Sequence, residues 1–168
     1  MSLHINDIDP AYTLGDVERR REEIIQKLEE AGITDMNKTL ELPPVIQKIA
    51  VISSDTAAGF GDFISQMETN HYNFYFSIQL FRAAMQGDKT EKSVITALEE
   101  IYNSDIDYEL VVIIRGGGAK TDLSYFDNFN IAANVAQFPI PVFSGIGHER
   151  DKSVTDMVAH SHLKTPTA

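Results

Sequence analysis

From residue 45 onward the chain switches repeatedly between apolar runs of about five residues and longer stretches with a 3.6-residue apolar period. Parallel strands joined by crossover helices produce that alternation, because parallel neighbours need a long connection between them. Residues 49–53 read as a buried strand, and 57–69 as a helix with Ala58, Phe63, Ile64 and Met67 facing inward. Residues 72–80 alternate strictly between apolar and polar side chains, which suits a half-exposed strand at the sheet edge. Residues 88–102 predict a helix with Val94, Ile95, Leu98 and Ile101 on its core face. The unbroken apolar run 110–114 fits a sheet centre. A helix over 124–136, a strand over 140–143 and a final helix over 151–159 complete the pattern. The expected architecture is α/β: a flavodoxin-like parallel sheet of about four strands, order 2-1-3-4, flanked by helices.

Ahead of this lies a predicted N-terminal helix over 13–32, with Thr13 as N-cap, Val17, Ile24, Leu28 and Ala31 at helical spacing, and Gly32 as the stop. Its other face is rich in Arg and Glu. The glutamates offset the arginines, so a solvated surface is a simpler reading than a basic arm. Leu42-Pro43-Pro44 breaks the chain. The expected division is 1–44 for linker and helix and 45–168 for the α/β domain.

The longest aliphatic run is too short to span a bilayer, and the polar start has no signal-peptide character, so a cytoplasmic protein without a membrane partner is expected. The absence of cysteine removes disulfides, thiolate metal sites and cysteine nucleophiles. The formal net charge of −11 opposes long-range attraction to a polyanion. The charge is uneven, however. Arg115, Lys120, Arg150, Lys152 and Lys164, with His148, His160 and His162, follow the third strand, while much of the acid lies in the N-terminal helix and in 88–109.

In open parallel sheets ligands bind beyond the carboxyl ends of the strands. Three loops meet there. The first, 53–59, opens a helix carrying Asp62. The second is Arg115-Gly116-Gly117-Gly118, where backbone N–H groups can form an anion nest and a guanidinium can fork onto a phosphate. A tight turn with a surface arginine is the plainer alternative. The third loop, 144–151, contains Gly147-His148-Glu149-Arg150-Asp151. There His148 and Asp151 suit acid/base work or hard-metal ligation if the segment is helical, whereas Asp151 serves equally well as N-cap of the last helix. Asp62 alone says little, since acids near helix starts complement the macrodipole.

Read together, these loops resemble the central catalytic domain of the exodeoxyribonuclease VII large subunit family. The matching stretches are 51–62 ending in Asp62, the Arg115 to Gly118 loop with Asp122-Leu123 and Phe126, and Gly147-His148-Glu149-Arg150-Asp151. Shorter matches occur at Asp7-Ile8-Asp9-Pro10, Gln86-Gly87 and Thr165-Pro166-Thr167-Ala168. The chain departs from the family pattern at Ala57, Ala119, Thr121, Ser124, Asp127 and His160. The resemblance implies Asp62, Arg115, His148 and Asp151 as catalytic residues, with Gly116, Gly117 and Gly118 binding phosphate. It implies hydrolysis of single-stranded DNA to short oligonucleotides, and a small helical subunit as partner, bound through regions missing from this chain. An OB-fold before the segment and a helical region after it are also implied, which makes the chain a fragment of a larger subunit. A metal requirement stays open: Asp62, His148 and Asp151 suit Mg²⁺ or Mn²⁺, and an Arg/His site can act without one. The rival is a non-catalytic module that holds a nucleotide or other phosphate ligand in the same cleft.

Overall fold

A computed structural model describes residues 10–116, 120–148 and 150–164, excluding the side chains of residues 10–13, 120 and 121. Its framework is a five-stranded, all-parallel sheet. In chain order the elements are α1 (Pro10–Glu30), β1 (Lys48–Ser53), α2 (Ala58–Glu68), β2 (Ser77–Arg82), α3 (Thr90–Tyr102), β3 (Leu110–Ile114), α4 (Phe129–Ala136), β4 (Val142–Gly145), α5 (Val154–Val158) and β5 (Ser161–His162). The strand order is β2-β1-β3-β4-β5, so the expected 2-1-3-4 arrangement is present with one further strand beside β4. That strand has two residues and no apolar run, and its existence depends on pairing with Phe143 and Ser144.

Alternation along the central strands builds two cores. Ala50 and Ile52 of β1, with Val111 and Ile113 of β3, face one side, where they pack with residues of α1, α3, α4 and α5. Ile49 and Val51, with Leu110, Val112 and Ile114, face the other, where Phe63 of α2 joins them. Burial on both sides explains why β3 reads as continuous Leu-Val-Val-Ile-Ile.

Several boundaries differ from expectation. Helix α1 starts at Pro10, so Thr13 lies inside it rather than capping it; proline is preorganised for a first helical turn. Gly32, at φ +67°, follows the helix as expected. Ala58 is exposed, not inward-facing. The edge strand β2 begins at Ser77, and Tyr72, Phe74 and Tyr75 before it are exposed. Asn73, at φ 54°, interrupts extended backbone there, while its neighbour Asn70 holds the Phe74 amide and carbonyl at 2.9 and 2.8 Å. The helix expected over 124–136 divides into a 3-10 segment, Lys120–Phe126, and α4. The division falls at Asn128, whose side chain accepts the Ile131 amide at 3.0 Å as an N-cap. The last helix spans only Val154–Val158 and is capped by Ser153, which corrects the N-cap assignment of Asp151.

The segment between α1 and β1 is anchored by Asn37, which is fully buried in a 3-10 turn. Its amide donates to the carbonyls of Phe138 and Ile140, both at 3.0 Å, and its oxygen accepts the Val142 amide at 2.8 Å. One side chain thereby satisfies the backbone entering β4, and Leu28 and Ile33 join the same apolar core.

Candidate active site at the carboxyl end of the sheet

Strand register brings the second and third loops together. Ile114 pairs with Gly145, and the Arg115 amide donates to the Gly145 carbonyl at 3.1 Å. The first loop is tied in by Ser53, whose buried hydroxyl donates to the Ile114 carbonyl at 2.7 Å. Contact is closest at Gly116, where a Cβ would lie 2.9 Å from the Ala57 Cα and 3.0 Å from its Cβ. Only a residue without a side chain lets these two loops approach so closely.

Arg115 is buried, with 8% exposure, and its Nη2 lies 3.6 Å from Asp122 Oδ2. The carboxylate comes from the 3-10 segment after the glycines, so one end of the guanidinium is oriented from within the chain. Arg115 and Gly116 line a cleft of about 380 Å³ together with Ser54, Thr56, Ala57 and Ala58 around the first loop and Ala84 to Gln86 beyond β2. Its mixed polar and apolar lining and mononucleotide scale suit a phosphate ester with its attached sugar or base. Gly117 and Gly118 lie outside the described residues.

The third loop is a tight turn, not the helix that would stack His148 and Asp151 on one face. The Asp151 amide donates to the His148 carbonyl at 3.0 Å, and the two residues form an antiparallel bridge. They are neighbours through the turn. A Cβ on Gly147 would overlap the Asp151 carbonyl oxygen, so the turn requires glycine there. His148 is exposed and Asp151 half-buried.

Asp156 braces this turn from behind. Its Oδ2 accepts the Gly147 amide at 3.0 Å, and the Ser153 amide and hydroxyl at 2.8 Å each. Ser153 returns the favour to the Asp156 amide, completing a capping box. His162 of β5 approaches from the other side, with Nε2 at 3.1 Å from the Gly147 carbonyl and 3.8 Å from Asp156 Oδ1. Both polar groups of Gly147 are therefore held one residue before the histidine. Sequence reasoning missed Asp156 and His162, although Ser153-x-x-Asp156 is a legible capping pattern. Asp122 appeared there only as part of a motif.

The four candidates are not drawn together equally. Arg115 and the His148–Asp151 turn rise from adjacent strand ends. Asp62 is exposed on the second turn of α2, the helix on the opposite side of the sheet from α5. Among the described residues its side chain makes no hydrogen bond or ion pair, and no group of three or more His, Asp or Glu side chains is arranged to hold a metal ion. Asp62, His148 and Asp151 thus do not form a ligand cluster, and no chemical step here is routed through a metal.

Behind the site, Asp127 Oδ1 accepts the Val154 amide at 2.7 Å. Burial pushes its carboxyl above the ordinary value, a shift opposed by that hydrogen bond and by Arg21.

Residues 33–168 match the family model described as exonuclease VII, large subunit. The chain belongs to the exonuclease VII large-subunit family. Its curated relatives include the exodeoxyribonuclease 7 large subunits of Cyanothece sp. strain PCC 7425, 37% identical over 89% of this chain, and of Deinococcus radiodurans, 33% identical over 99%. That of Mycoplasma mycoides subsp. mycoides SC is 31% identical over the whole chain. These alignments cover 34%, 40% and 35% of the relatives' own lengths, so the chain spans between a third and two fifths of them. Within this family segment, strand register places the Arg115 loop between the first loop and the His148 loop.

Proposed function

We propose that this chain is the phosphodiester-hydrolysing core of a single-strand-specific exodeoxyribonuclease that releases short oligonucleotides in the cytoplasm. In the complete enzyme, regions outside this chain grip DNA and bind a small helical partner subunit. The observation that carries the reading is the Arg115 amide bonded to the Gly145 carbonyl: it holds a buried arginine beside the loop that bears an exposed histidine.

In this mechanism Arg115 and the amides of Gly116, Gly117 and Gly118 hold the scissile phosphate and stabilise charge developing on its oxygens. The guanidinium forks onto two of those oxygens, with Asp122 setting its plane. His148 transfers a proton to or from the attacking water or the leaving sugar oxygen, and Asp151 orients the imidazole. Asp62, on the second turn of α2, contributes a carboxylate that activates water.

The test is cleavage of end-labelled single-stranded DNA by the full-length subunit with its partner, with and without EDTA, comparing the parent with His148→Ala. Loss of most cleavage with unchanged thermal melting is expected. Undiminished cleavage by the variant refutes the assignment of His148. A parent that binds mononucleotides but never cleaves DNA supports the rival binding module instead.

A further inference from the structure

A second polar cleft, of about 600 Å³, lies between α1 and the segment running from β4 to β5. Its lining comprises the cations Arg21, Lys38, Arg150 and Lys152 and the imidazoles of His160 and His162, against a single carboxylate, Asp156. Those Lys and Arg residues are four of the 14 in a chain that carries 25 acidic residues. Gathering like charges is unfavourable unless something offsets them.

The protein itself offsets them in part, and least at Arg150 and Lys152. Asp156 turns its Oδ2 inward to three donors from Gly147 and Ser153. Arg21 donates to the Lys152 carbonyl at 2.5 Å and lies 3.8 Å from the Met157 sulfur, which fixes the wall, and the Asp127 carboxylate offsets part of its charge. Lys38 pairs with Asp35 at 2.8 Å, an exposed contact of small worth. Arg150 and Lys152 are exposed and, among the described residues, make no ion pair.

The cleft also adjoins the third loop of the candidate active site at Asp151. An adjoining cleft of about 580 Å³ shares Arg21, Arg150 and Lys152 with it and reaches Asp151, although Glu18 and Asp127 make that stretch more acidic. A path therefore runs from Asp151, past Arg150 and Lys152, to Lys38 and His160.

We propose that this cleft is a track for the sugar–phosphate backbone of a single strand whose scissile bond lies at the His148 turn. The inference rests on the nuclease reading and adds the route of the strand and the residues that hold it. Arg150 and Lys152 contact the phosphates nearest the reacting bond, and Lys38 contacts those farther along. Contacts of this kind set affinity and salt dependence without reading base identity.

The test uses the full-length protein with His148→Ala to prevent cleavage. Binding of long and short fluorescent oligothymidylates is measured across a salt series. For the long strand, adding Arg150→Gln with Lys152→Gln should weaken binding about tenfold and flatten the plot of log K against log salt by roughly 1.4, two contacts at about 0.7 each. Lys38→Gln should weaken the long strand alone. Lys89→Gln with Lys92→Gln, on exposed positions at the start of α3, should change neither. In the active protein the Arg150/Lys152 double variant should raise KM about tenfold while kcat stays within about threefold. An unchanged salt slope overturns the track. So does competition at these residues by dTMP as effective as that by the long strand, which identifies a mononucleotide site. The nuclease reading fails separately, as absence of cleavage by the parent; failure of the track alone leaves parental cleavage intact.

Discussion

Asp156 Oδ2 accepts the backbone amide of Gly147 at 3.0 Å, although the two residues lie nine positions apart and on different elements. The same oxygen takes two donors from Ser153, so a single buried atom organises both the start of α5 and the turn that presents His148. Asp156→Ala leaves all three donors without an acceptor. Each unsatisfied buried donor costs about 1–3 kcal/mol, so a loss of roughly 3 kcal/mol or more is expected from denaturant unfolding. Asp156→Asn keeps an acceptor oxygen and should recover most stability, while any residual loss in kcat with unchanged KM reports displacement of the histidine. Parental stability in the alanine variant contradicts this bracing role.

Gly116 is predicted to tolerate no side chain. In Gly116→Ala the new methyl group meets backbone and Cβ atoms of Ala57, neither of which can swing aside as a long side chain would. Overpacking of this kind costs typically 1–3 kcal/mol, and separating the first and second loops also widens the phosphate cleft. Thermal melting and oligonucleotide affinity should fall together. A variant with parental melting and affinity shows that the loops adjust freely.

Arg115→Lys separates charge from shape. Lysine keeps the positive charge but loses the planar fork that Asp122 orients. Cleavage should drop by about 10²–10³, the range typical for removing a transition-state donor, with little change in melting. Asp122→Asn should produce a milder loss in the same direction. Equal activity of the lysine variant and the parent reduces the role of Arg115 to that of a point charge.

Asp127 yields a pH prediction. Its carboxyl is raised above the ordinary 3.8, with burial as the leading cause. A raised value means the folded state favours the protonated form. The resulting stabilisation is complete below the ordinary value and is lost as pH rises through the folded one. At neutral pH the buried charge is therefore a net cost. Asp127→Asn removes the charge while its side-chain oxygen can still accept the Val154 amide. Melting at neutral pH should rise, and the gap between variant and parent should shrink as pH falls toward 3.8 and below. A variant that melts lower than the parent at neutral pH shows instead that attraction to Arg21 outweighs desolvation.

Much of this molecule was legible before any coordinates. Apolar runs and helical periodicity are local signals, and burial on two faces forces β3 to be apolar throughout, so the α/β class, the strand order and the edge position of β2 followed from pattern alone. Arg115 with its glycines and the Gly147-His148 turn stood out because each residue type has a specific use where a strand ends. Other features depend on contacts across long stretches of chain, which local pattern does not encode. Asn37 satisfies carbonyls about a hundred residues away. The two-residue β5 exists only because β4 offers an edge. Asp151 had two local readings, a helical pairing with His148 and an N-cap, and packing replaced both geometries with a turn while giving the cap to Ser153. The cationic cleft gathers lysines and arginines from α1, the following turn and the β4–α5 loop, so a chain with net charge −11 presents a local surface of opposite sign. Charge sums over sequence, whereas electrostatic fields depend on distances that only folding sets.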